Sequence, residues 1–244
     1  MDERGDGLTA SSTATARRYS SADLGRTLRS IVLSPRRGFG SAIAAADKRA
    51  SDGTRPAEGS TTYVLAALGG GAAVVLWLKL GGLLGARDIS ATEFRWSYLI
   101  VGLIAGALLG LVVQALWAYV AAVSFRFGGR EIRPRDLRLV WGASAFPQIL
   151  VFLVLLPLDL LIVGSETFTT TRLTDPLATG WAAISIALAV SLAVWSVYLF
   201  ARGMQVAAGS GWGASLAGAA LAAASAVAVL LVVVVATRML GAGS

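Results

Sequence analysis

Five stretches of this chain are apolar for long enough to cross a lipid bilayer, and they restrict its fold more than any motif does. They run from Tyr63 to Leu84, Trp96 to Val120, Leu139 to Val163, Ala178 to Phe200 and Trp212 to Ala236. A hydrocarbon core about 30 Å thick takes roughly 20 residues of helix, and no water is present there to bond an open backbone. Each run therefore reads as a membrane helix, and the chain as an all-α, polytopic bundle of five transmembrane helices. With 56% of its residues hydrophobic and 14% charged, the composition is that of a membrane protein. No apolar run falls in the first 30 residues, so the first span is expected to serve as an uncleaved signal anchor.

Basic residues fall in alternate connections. The segment before the first run holds cations from Arg4 to Arg55, and the connection after the second holds Arg126, Arg130, Arg133, Arg135 and Arg138. The connections after the first and third runs hold only Arg87 with Arg95, and Arg172. Cytoplasmic loops carry the excess of arginine and lysine, so the amino terminus is expected inside and the carboxyl terminus outside. Tyr63, Trp96, Trp141, Trp181, Tyr198 and Trp212 lie near the span ends, where aromatic rings favour the headgroup layer. Arginine outnumbers lysine heavily, and with abundant Ala, Gly and Val this is the usage of a GC-rich bacterial genome, which points to the cytoplasmic (inner) membrane of a bacterium.

The chain contains neither cysteine nor histidine, which excludes disulfides, thiolate chemistry, the commonest zinc ligands and the commonest general base. No phosphate loop, HExxH, GxSxG or GxGxxG pattern is present. The chain thus reads as non-enzymatic, with no catalytic residue, cofactor or metal expected. Its net charge of +7 is accounted for by topology, and no aromatic-interleaved basic surface points to nucleic acid.

Ionisable groups inside spans are costly and so are the default functional candidates. Lys79, beside Trp77, is close enough to a span end for its stem to reach the interface, and is expected to anchor there. Asp159 follows Pro157 and is expected to be hydrated or paired at the outer face, with an ion or proton site as the alternative. Pro147 and Pro157 should each loosen the third span near the preceding turn. In the second span Gly102, Gly106 and Gly110 share one face, which favours close helix packing within the bundle or, alternatively, a homo-oligomer. The small-residue first half of the fifth span is a candidate partner for that face. Gln114 is expected to hydrogen-bond between helices. An odd number of spans does not divide into inverted halves, which weakens a transporter reading.

Ahead of the spans, residues 1–20 and 50–61 are polar and read as a disordered tail and a linker, leaving 62–240 as the membrane domain. Between them, Leu24, Leu28, Ile31 and Val32 mark one amphipathic helix. Ser34 and Pro35 then punctuate the chain as N-cap and first helical residue of a second, with Phe39, Ile43 and Ala46 on its apolar face. Both are expected to lie on the cytoplasmic membrane surface. Arg36 and Arg37 in the first turn, and Asp47 near the end, oppose the helix dipole. Arg36, Arg37, Phe39 and Ile43 are therefore the expected contacts to anionic lipid headgroups or to a membrane-protein partner, at about 1 kcal/mol per basic residue near the surface.

SPRRGF, from Ser34 to Phe39, ahead of the first span, and WGASAFPQIL, from Trp141 to Leu150, opening the third of five, resemble the bacterial branch of the Yip1-domain membrane proteins. The resemblance covers roughly residues 28–236, although the DLYGP signature of the eukaryotic branch is absent. Eukaryotic members bind lipid-anchored Rab GTPases through the cytoplasmic amino-terminal region and influence membrane shape. The resemblance implies a protein that organises membrane or docks partners; the alternative is a small transport component, a permease subunit or ion pathway, using the proline-broken third span.

Overall fold

The computed structural model describes residues 21–51, 58–83, 96–127, 131–164, 166 and 175–209, with the isolated positions 211, 213, 217, 220 and 224. The tail 1–20 lies outside these residues, as does the fifth expected span, 212–236, apart from those positions. Every regular element among the described residues is helical: α1 (Ser21–Leu33), α2 (Pro35–Ser51), α3 (Glu58–Leu83), α4 (Trp96–Phe127), α5 (Pro134–Ser144), α6 (Phe146–Leu150), a π-helical turn (Val151–Leu155), α7 (Leu156–Ile162) and α8 (Pro176–Ala208). Four segments are long and apolar enough to cross a membrane: Thr61–Leu80, Leu99–Arg126, Pro134–Ile162 and Pro176–Ala208.

The bundle exposes large apolar side chains on its outer surface. Ile104, Leu161 and Val194 are 58%, 81% and 64% exposed, a surface that suits hydrocarbon and would not suit water. Inside, α3 and α4 cross where both lack side chains. A Cβ on Gly70 would strike the Gly106 carbonyl and approach the Gly110 Cα to 2.9 Å, and one on Gly110 would come within 2.5 Å of the Ala66 carbonyl. Such contacts bring two backbones together where a lipid bilayer supplies no hydrophobic drive between helices.

The third column is interrupted twice, each time just ahead of a proline. A turn at Ala145 separates α5 from α6, whose second residue is Pro147, and the π turn immediately precedes α7, whose second residue is Pro157. Proline removes a backbone donor and crowds the carbonyl four residues back. The chain answers by widening the turn: the Leu156 N–H donates to the Val151 carbonyl, five residues earlier. The extra residue shifts the helical phase, so that adjacent Leu155 and Leu156 are both buried and Asp159 faces the interior.

At one end of the bundle α1 and α2 form a tight corner that packs on α5 and α8. Ser34 separates the two helices, as its place before Pro35 predicts, and a Cβ on Gly38 would meet the Ile31 backbone nitrogen at 2.5 Å. Gly38 lowers helix propensity, yet only its bare backbone permits this corner. Ile31, Phe39, Leu137, Val140, Trp117, Phe200 and Met204 fill the core beneath it. Trp117 lies 4.9 Å from Phe200 and 5.1 Å from Trp141, ring centre to ring centre, tying α4, α5 and α8 together.

Candidate functional site

Two constellations hold the polar side chains that a membrane bundle would not keep for packing alone. The first is buried. The Lys79 ammonium on α3 lies 2.5 Å from Oδ2 of Asp159 on α7 and donates at 2.7 Å to Oγ of Ser185 on α8. The indole N–H of Trp181, one turn before Ser185, donates to Asp159 Oδ1 at 3.0 Å. Lys79, Asp159 and Ser185 are 3%, 1% and 0% exposed. Lys79 therefore does not reach the interface as its sequence position implies, since a carboxylate and a hydroxyl inside the bundle offset its desolvation. Trp181, expected in an aromatic belt, turns its polar edge inward for the same reason.

Desolvating two charges costs several kcal/mol per ion, and the loss is recovered only with close geometry and satisfied remaining bonds. Both conditions hold here, because each carboxylate oxygen and the ammonium have protein partners. The cluster thus ties three spans together beside the π turn. Among the described residues no group of three His, Cys, Asp or Glu side chains gathers for a metal.

The second constellation lies at the opposite end, around α2. Asp47 accepts from Arg133 and Arg135 of the α4–α5 connection and α5, and Arg135 also donates to the Ala46 carbonyl at 3.3 Å. Asp47, unfavourably placed against its own helix dipole, is thus balanced by arginines 86 and 88 residues away. Exposed ion pairs of this kind contribute at most about 1 kcal/mol, so burial holds the corner in place. Its anchor is Phe39, fully buried, whose ring leaves no room for a side chain at Gly203 of α8: a Cβ there would lie 3.0 Å from Phe39 Cζ.

That placement corrects one expectation. Phe39 packs against protein and does not face lipid, because α5 and α8 supply an apolar seat that spares it the interface. Ile43 is half-buried, while Arg36 and Arg37 remain exposed. With Ser34, Pro35, Tyr198 and Arg202, the two arginines line an open cavity of about 370 Å³. Arg202 is oriented by the Tyr198 hydroxyl at 3.2 Å and by Gln205 at 3.1 Å. The carboxyl end of α1 abuts the turn that carries Arg36 and Arg37, and its partial negative charge offsets the positive end of α2.

The remaining candidates pack within the bundle. Gly106 and Gly110 meet α3, the fifth run as a candidate partner lies almost wholly outside the described residues, and Gly102 sits more loosely, 3.4 Å from Val74 for an added Cβ. Gln114, fully buried on α4, donates at 3.0 Å to the Arg138 carbonyl and at 3.4 Å to that of Thr62. Its Oε1 has no hydrogen-bond partner among the described residues. Sequence reasoning placed Tyr198 only in the aromatic belt and singled out neither Ser185 nor Arg202 as a site residue. A serine in an apolar run carries no signal, but an arginine one turn beyond a belt tyrosine does.

Among the described residues these elements define an all-helical bundle apolar enough for a lipid environment, with a buried ion-pair cluster and a basic cavity. In comparison with known proteins, the chain matches no family model, no curated protein and no solved structure.

Proposed function

We propose that the chain is a non-enzymatic, five-span protein of the bacterial cytoplasmic membrane that organises the bilayer or docks a membrane-protein partner through its cytoplasmic α1–α2 face. One observation carries this reading: α1 and α2 are seated on the bundle by a buried Phe39 while Arg36 and Arg37 stay exposed beside Arg202. A helical pair that served only as a topological signal would need cations but no preformed seat. The clustering of basic residues in alternate connections supports the orientation, amino terminus inside and carboxyl terminus outside. The resemblance of SPRRGF and WGASAFPQIL to Yip1-domain proteins supports the same class of role. Proximity labelling from α2 in native membranes tests it. Labelled partners that disappear with Arg36→Ala and Arg37→Ala fit docking, and an unchanged set sinks it.

A second reading, a small transport component using the proline-broken third span, rests on the Lys79–Asp159 ion pair, which with Ser185 links three helices next to a π turn. It predicts that Asp159→Asn abolishes ion or solute flux in proteoliposomes while removal of residues 1–50 does not.

A further inference from the structure

The cavity at the α1–α2 corner collects three guanidinium groups from two elements. Arg36 and Arg37 come from the first turn of α2, and Arg202 from the far end of α8. Adjacent exposed cations on one open space give it a positive potential that favours an anion. Arg36 and Arg37 form no salt bridge with any described residue, although Asp47 on the same helix takes two arginines from elsewhere. The Ser34 and Tyr198 hydroxyls border the same space as neutral donors. Arg202 is held over the Tyr198 ring, 5.4 Å from its centre, so its fork is positioned before any ligand arrives.

Depth identifies the anion. Tyr198 packs against Trp195, which is 42% exposed, with ring centres 5.3 Å apart. On α4, Tyr119 is 67% exposed two residues beyond Trp117, whose ring touches Phe200. Exposed Trp and Tyr at one level of an apolar bundle mark the headgroup layer. The cavity opens at that level, where the abundant anion is a phosphate ester, and planar guanidinium groups bind phosphate in a bidentate manner.

We infer that the cavity formed by Ser34, Arg36, Arg37, Tyr198 and Arg202 is a phosphate-ester binding site, occupied by the headgroup of an anionic phospholipid. The inference rests on the docking reading, in which this face meets the bilayer surface, and it names the ligand of that face.

The test uses the full chain in phosphatidylcholine nanodiscs with spin-labelled phosphatidic acid or phosphatidylcholine, reading the relative association of each. Wild type should favour phosphatidic acid about fivefold or more, and Arg36→Gln with Arg37→Gln should abolish the preference. Arg29→Gln with Arg126→Gln removes the same charge from exposed positions nearby and should keep most of it. In a second arm, glycerol 3-phosphate is added to discs of phosphatidylcholine alone. Failure of glycerol 3-phosphate to bind assigns the site to lipid; binding that needs Arg36 and Arg37, without any lipid preference, overturns the lipid assignment. Equal loss in both double variants overturns the site, because net charge then accounts for the effect. Nanodiscs expose both leaflets, so this outcome is independent of topology, and partner labelling that survives it leaves the docking reading standing.

Discussion

Lys79 and Asp159, 80 residues apart in the chain, meet at 2.5 Å in the interior of the bundle with both side chains buried. Removing one partner strands a charge, whereas replacing both removes the desolvation cost along with the attraction. Lys79→Met alone should therefore destabilise the detergent-solubilised protein by about 3–5 kcal/mol. Lys79→Met with Asp159→Leu should regain most of that loss. Thermal unfolding followed by tryptophan fluorescence, to which Trp181 contributes from within the cluster, checks both. Additive losses would mean that the two groups are not paired.

Phe39 sets the strength of the α1–α2 seat. Phe39→Ala should weaken docking by about 3 kcal/mol or more, and tryptic cleavage at Arg36 and Arg37 should accelerate by about 100-fold if opening governs cleavage. Leu33→Ala, at a position 69% exposed, is the matched control and should change little. Equal cleavage of the two variants would contradict the seat.

The glycine face of α4 should respond as a gradient. Gly102→Ala places a methyl at ordinary contact distance from Val74 and should be tolerated, whereas Gly106→Ala and Gly110→Ala meet Gly70 and Ala66 backbone and should lower the melting temperature markedly. Uniform tolerance, with loss of self-association only, would instead assign this face to a homo-oligomer.

Reporter fusions after residues 90, 130, 170 and 208 test orientation. The docking account expects inside signals at 130 and 208 and outside signals at 90 and 170. An outside signal at 130 would reverse the map.

Much of this arrangement is legible in the sequence because membrane burial acts on long windows. The apolar runs anticipate α3, α4, the third column and α8, Ser34–Pro35 marks the corner, and Pro147 and Pro157 mark the two interruptions. Periodicity gives the apolar face of α2 but not what covers it, since lipid and a protein seat demand the same residues; hence Phe39 is found against Gly203 instead of in the bilayer. Pairing is harder still. Lys79 and Asp159 both lie toward the same predicted end of their spans, which was a usable signal, but the contact depends on the phase shift of the π turn. Ser185 joins its cluster only through the packing of α8, which no local pattern encodes, whereas the spacing of Arg202 one turn beyond Tyr198 is a local signal.

On the docking reading, the face carrying Arg36 and Arg37 is where this protein meets its partners. This is tested most directly by a photocrosslinker at Ser41, an exposed position on α2, in native membranes. Discrete lipid or protein adducts that vanish with Arg36→Gln and Arg37→Gln, and persist with Asp159→Asn, are the predicted result. Adducts indifferent to both arginines, together with ion or solute flux abolished by Asp159→Asn, would contradict it.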